Sequence, residues 1–115
     1  MDMVDVVGTD KFVAWYDRLS DADTDAVTLG VDRLASAGVT LRFPYCSGIE
    51  GTDYPLRELR IQSKGRPIRV FYAFDPKRQA VLLIGGDKTG DDRFYDRMVP
   101  RAEKIWDTYL DELDD

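Results

Sequence analysis

There is no histidine in these 115 residues. Its absence removes the commonest general acid–base near neutral pH and the commonest transition-metal ligand together. The usual zinc sites, and Ser-His or Cys-His nucleophile pairs, go with it. Cysteine occurs once, at Cys46, so no internal disulfide can form. A lone thiol suits a reducing compartment and a buried apolar position. Long hydrophobic runs are also missing. The longest aliphatic stretch, residues 80–84, is far too short to span a bilayer. The opening MDMVDVVGTD is acidic and poor in apolar length, unlike a signal peptide. Together these absences lead to the expectation of a cytoplasmic protein with no metal, no cofactor and no membrane partner.

What is present is charge, unevenly placed. The net charge is −6 and the sequence pI about 4.6, a balance that argues against a surface coated in nucleic-acid-binding charge. Residues 56–78 nevertheless hold seven cations (Arg57, Arg60, Lys64, Arg66, Arg69, Lys77, Arg78) against two acids, Glu58 and Asp75, a local balance of +5. The remainder sets nine cations against twenty acids, or −11, so the molecule is strongly dipolar.

The length suits one domain over residues 1–115, and 43% hydrophobic residues can build a core without disulfides or metal. Residues 3–7 read as a first strand, and Thr9 or Asp10 as the N-cap of a helix. Phe12, Trp15, Tyr16 and Leu19 share one helical face. Ser20 with Asp23 resembles a capping box opening a second helix, which Gly38 stops. The two form an antiparallel helical hairpin. Residues 39–54 lack a period and read as a loop. Residues 56–62 alternate, with Arg57, Leu59 and Ile61 against Glu58 and Arg60. A turn at residues 63–66 follows, then Ile68, Val70, Tyr72 and Phe74 alternate against Arg69, Phe71 and Ala73. After a turn at residues 75–78, residues 80–84 read as a central strand covered on both faces, ended by Gly85-Gly86. From Asp91 the spacing is helical, with a kink or a new start required at Pro100. The order is β-α-α-β-β-β-α: an α+β fold, an antiparallel meander packed against an N-terminal helical hairpin and a C-terminal helix.

That order, with Glu58-Leu59-Arg60, Arg69-Val70-Phe71-Tyr72 and an apolar strand before Lys88, resembles the RelE/ParE superfamily of toxins. The likeness is densest over residues 56–95 and leans toward the HigB, phage Gp49-like branch. Some features depart from that pattern. Thr89 stands where the branch has a second lysine, the arginine that RelE toxins place after the lysine is missing, and so are the histidines of some HigB members. Tyr95 keeps the RelE spacing of seven residues after the lysine. The resemblance implies a type II toxin acting as a ribosome-dependent mRNA endoribonuclease. Its partners would be the ribosome, mRNA and a cognate antitoxin, often of helix-turn-helix type, with DNA reached only through the antitoxin complex. A ParE-like gyrase inhibitor and a catalytically degenerate binding module are the alternatives.

For RNA cleavage, the resemblance implies that Arg60 and Arg69 hold the scissile phosphate, Lys88 adds charge and Tyr95 orients or deprotonates the 2′-hydroxyl. Glu58 would fix an arginine fork. Arg57, Lys64, Arg66, Lys77 and Arg78 would contact ribosomal RNA phosphates, and Arg93 would supply a further cation. Plainer uses compete. Glu58 and Arg60 fit cross-strand pairing equally well. Turn cations are commonly just solvated. Either Phe94 or Tyr95 belongs to the core. Asp87, Asp91 and Asp92 read as a helix-capping acidic turn rather than a metal site.

Overall fold

Alternation along the strands decides which helix covers which side of the sheet. The computed structural model describes residues 3–114. Five strands, β1 (Val6–Gly8), β2 (Cys46–Gly48), β3 (Arg57–Ser63), β4 (Arg66–Phe74) and β5 (Ala80–Asp87), lie in the spatial order β1-β5-β4-β3-β2. The β2 to β5 pairings are antiparallel, and β1 joins β5 in parallel. Helices α1 (Asp10–Tyr16) and α2 (Asp21–Ala37) cover one face, where Phe12, Val27 and Leu34 meet Leu59, Ile61, Ile68, Val70 and Tyr72. Helix α3 (Phe94–Leu113) covers the other, where Phe94, Met98, Ala102 and Trp106 meet Phe71, Ala73, Val81 and Leu83. The fold is α+β, and the read alternation of β4 assigns its residues to these two faces correctly.

Several expectations need correction. The first strand is Val6–Gly8 rather than residues 3–7. The supposed loop at 39–54 contains a short 3-10 turn, Gly38–Thr40, and the edge strand β2, which pairs with β3. The sheet therefore has one strand more than read. α1 stops at Tyr16, while Leu19 reaches the same core from the turn beyond it. Ser20 caps α2 by accepting from the Asp23 amide at 3.2 Å, but the Asp23 carboxylate does not reach back to complete a box. It turns to Ser63 Oγ at 2.6 Å and to Arg66 instead. α3 begins at Phe94, not Asp91, and runs through Pro100 as one helix without a restart.

Gly85-Gly86 does not end the last strand; β5 continues to Asp87. The two glycines act as clearances. A Cβ at Gly85 would stand 2.4 Å from the Trp15 ring, and one at Gly86 would stand 2.9 Å from Phe94. They let a helix approach from each side. The register of β5 against β4 also slips. Phe71 pairs with Ile84 but Tyr72 with Leu82, so Leu83 is an extra residue. Leu83 and Ile84 consequently pack on the same side of the sheet. The bulge reverses the facing of everything after it. It turns Asp87 toward α2 and Lys88 toward α3.

Candidate functional site

Four chain segments converge where α3 begins. Arg60 on β3 and Arg69 on β4 are register partners, directly opposite each other. Glu58 precedes Arg60 by two residues, so it shares the same face. The bulge delivers Lys88, whose amide donates to the Pro67 carbonyl at 2.9 Å. The first turn of α3 delivers Tyr95, and its neighbour Phe94 is the one given to the core, at 1% exposure.

Glu58 is the hub. Its Oε1 accepts from the Tyr95 hydroxyl at 2.7 Å and lies 3.6 Å from Arg69 Nε. Its Oε2 accepts from Ser47 Oγ at 2.8 Å and lies 3.7 Å from Arg60 Nη1. Lys88 Nζ donates to the Tyr95 hydroxyl at 3.4 Å and stands 4.9 Å from the ring centroid. Two arginines therefore flank one carboxylate and Lys88 stands at the hydroxyl bonded to it, a local excess of positive charge where a phosphate would be welcome. Burial, and then the Glu58 carboxylate, raise the Tyr95 pKa above the ordinary tyrosine value, with Arg69 pulling the other way. Tyr95 is a neutral phenol at physiological pH.

The two arginines differ. The Arg60 side chain is 29% exposed, and its guanidinium lies 5.0 Å from the centroid of the Phe43 ring. The Arg69 side chain is only 4% exposed. Its Nη1 donates to the Ile68 carbonyl at 3.1 Å, while its Nε finds no hydrogen-bond partner among the described residues. Arg69 therefore lies under the cluster, not on its surface. Sequence reading missed Ser47, because β2 went unrecognised, and missed Phe43 entirely.

The basic segment is not one basic face. Arg57 is on the α1/α2 side, where its Nη2 donates to Cys46 Sγ at 3.4 Å. Arg66 is on that side too, tied to Asp23 and, at 2.8 Å, to Asp87. Lys77 and Arg78 belong to the turn at the far end of β4. There the Asp75 carboxylate accepts from the Lys77 and Gln79 amides, each at 2.9 Å. Lys64 is at the tip of the β3–β4 turn with a φ of 51°, beside Gly65 at 77°, the pair of left-handed residues that a tight hairpin demands. Arg93 adjoins Phe94 at the start of α3. Of these, Arg93 adjoins the first turn of α3, which carries Tyr95, whereas the charge of Lys64 acts on Asp23 of the opposite face. In the following turn Asp87 Oδ1 accepts from the Thr89 amide and hydroxyl, and Asp91 Oδ1 from the Arg93 amide. Thr89 thus braces the turn that presents Lys88. A cavity of about 570 Å³ lies elsewhere, between the start of α1 and the second half of α3.

The sequence profile of the family described as phage-derived protein Gp49-like matches residues 14–107. The chain is similar to a Mycobacterium tuberculosis protein named as the toxin HigB3, with 38% identity over 98 residues and 84% of each chain covered. It is also similar to a protein of that organism named as the toxin HigB2, with 29% identity over 109 residues. That match takes in 92% of this chain and 54% of the longer relative. A double arginine-to-alanine mutant of the E. coli toxin RelE in the free state superposes with a TM-score of 0.62 at 9% identity, over 86% of this chain and 97% of that one. The solution structure of HP0894 from Helicobacter pylori gives 0.51 at 17% identity, over 76% and 97%. At such identities these two likenesses speak to the fold alone. No helix among the described residues is long and apolar enough to cross a membrane. Profile and relatives agree that the chain belongs to the phage-derived Gp49-like family, similar to HigB toxins and built on the fold that RelE also has.

Proposed function

We propose that this protein is a ribosome-dependent mRNA endoribonuclease, the toxin of a type II toxin–antitoxin pair, neutralised by a cognate antitoxin. One observation supports the reading above all others. A neutral tyrosine is hydrogen-bonded at 2.7 Å to a buried carboxylate that two arginines flank, with Lys88 against the tyrosine hydroxyl. RNA supplies its own nucleophile, the 2′-hydroxyl. Aligning it with the next phosphate is work that the ribosome and the exposed cations share.

In the proposed step the 2′-oxygen forms a bond to phosphorus as its proton passes to Tyr95 Oη. The phenol proton moves at the same time to Glu58 Oε1. This relay never requires a free phenolate, which the raised pKa of Tyr95 disfavours. Arg60 and Lys88 stabilise the charge that grows on the phosphorane oxygens. The P–O5′ bond then breaks, and Lys88 gives a proton to the leaving oxygen. The products are a 2′,3′-cyclic phosphate and a 5′-hydroxyl end. Arg69, being buried, holds Glu58 and contributes its field from below. This revises the expectation that it grips the phosphate. Arg60, Lys64, Lys88 and Arg93 are the cations available to RNA, while Arg57, Arg66, Lys77 and Arg78 serve the fold or distant surface.

The test is inducible expression in a bacterial host of the wild type beside Tyr95→Phe and Lys88→Ala, with mapping of mRNA 5′ ends. Growth arrest with new ends inside translated codons, lost in soluble variants, is the expected result. Arrest with intact mRNA would overturn it and point to gyrase.

A further inference from the structure

We propose that Phe43 is the base-reading platform of the site, stacking on the nucleobase of a single-stranded RNA nucleotide next to the phosphate bound by Arg60. The inference rests on the nuclease reading and deepens it.

Phe43 is 69% exposed, an unusual position for a large aromatic ring in a chain that buries Phe12, Phe71 and Phe94. Its location is defined. It lies in the turn closed by the Tyr45 amide donating to the Arg42 carbonyl at 3.0 Å. The Tyr45 carbonyl in turn accepts from the Arg60 amide at 2.9 Å, which fastens this turn to β3 at the residue that matters. The Arg60 guanidinium lies over the Phe43 ring, 5.0 Å from its centroid. A cation against an aromatic face leaves the fork free to bind phosphate. The nearby Tyr45 ring has a different occupation, since the Arg33 guanidinium lies 4.5 Å from its centroid.

From Phe43 the contacts run without a gap through Arg60, Glu58 and Tyr95 to Lys88. One end of that row is an exposed ring, and the rest is charge and proton transfer. A nucleotide offers the matching pair, a flat base and an adjacent phosphate. Aromatic stacking with cationic support is the general way single strands are held. A lipid or an acidic peptide would satisfy the cations but gives the ring no flat partner.

The experiment uses purified bacterial ribosomes programmed with a defined mRNA, and reads single-turnover cleavage by the full-length protein. Phe43→Ala is expected to slow cleavage by roughly 5- to 150-fold, the span of one lost stacking contact. Phe43→Trp should retain the rate, and Phe43→Leu should not, although leucine still covers Arg60. The decisive arm places an abasic nucleotide at each position around the cut. At one position the abasic penalty seen with wild type should vanish in Phe43→Ala, because base and ring are the two halves of one contact. If Phe43→Ala cleaves at the wild-type rate, or if the penalties multiply at every position, the platform is wrong and the nuclease reading stands. If wild type cleaves no programmed ribosome, the nuclease reading fails and the platform fails with it.

Discussion

Two polar clusters interrupt the apolar faces of the sheet, one on each side. Both are built on a buried acid: Asp23 at 7% exposure under α2, and Glu58 at 4% beside α3. Both acids accept a hydroxyl and face an arginine. Their charge balance is opposite. Around Arg66, two acids share one cation. Around Glu58, Arg60 and Arg69 share one acid, and Lys88 stands beyond it at the Tyr95 hydroxyl. The first cluster is self-sufficient, since its hydrogen bonds from Arg66 and Ser63 hold Asp23 below the usual carboxylate range. The second has donors to spare, including an Arg69 Nε that makes no hydrogen bond among the described residues. An ion pair as such does not mark a site; a surplus of one sign, partly buried and partly open, does.

If the comparison is sound, the two clusters should fail differently. Tyr95→Phe removes the proton relay and should cut cleavage by about 10²- to 10⁴-fold. Its unfolding free energy should fall by about 1.5–3 kcal/mol, the cost of one hydrogen bond to a buried carboxylate, so the rate is read on protein shown to be folded. An unchanged rate would make the Glu58 cluster as structural as its counterpart. Glu58→Ala strands the buried Arg69 charge and should destabilise by about 3–5 kcal/mol in urea unfolding, whereas Asp23→Ala should cost less because Arg66 can turn to water and Asp87. Equal losses would remove the distinction. Gly85→Ala tests the frame beneath both clusters. Crowding Trp15 should cost about 1–3 kcal/mol, read in the same titration.

Titration sharpens the contrast at smaller scale. The folded pKa of Asp23 is depressed, so its contribution is present above the unfolded value of 3.8 and is lost as pH falls through the folded value. Asp23→Asn should flatten the acid limb of the stability profile. At the alkaline end, Tyr109 is pushed up to about 12 by burial and by the Asp75 carboxylate that accepts its hydroxyl at 2.8 Å. Its contribution is complete below pH 10 and disappears between 10 and 12, so Tyr109→Phe should abolish that part of the fall.

Features carried by local chemistry were legible in the sequence. Residues 80–84 read as a doubly covered strand, and the alternation of β4 placed Arg69 on the face where it is found. Features that depend on a distant partner were not. Gly85-Gly86 looks like a stop because the Trp15 and Phe94 rings that need the space are far away in sequence. Cys46–Gly48 is too short for a period and becomes a strand only by pairing with β3. Counting cations gave one basic hairpin, but strand geometry sends alternate side chains to opposite faces. That is why Arg57 and Arg66 part company with Arg60 and Arg69. No pattern in the chain could report the β5 bulge or the solitary ring of Phe43.

The parallel pairing of β1 with β5 carries a consequence for how the protein is born. Val6 pairs with Ala80, so the first strand must wait until more than seventy further residues have been synthesised. Closing so long a loop is entropically slow compared with forming the local helices. Lys88 and Tyr95 emerge later still, after the strand that frames them. A nascent chain therefore carries Arg60 and Arg69 before it carries a working site. For an enzyme proposed to attack translating ribosomes, this order of synthesis is a form of restraint: the ribosome making the protein has passed Tyr95 before there is anything to fear from it.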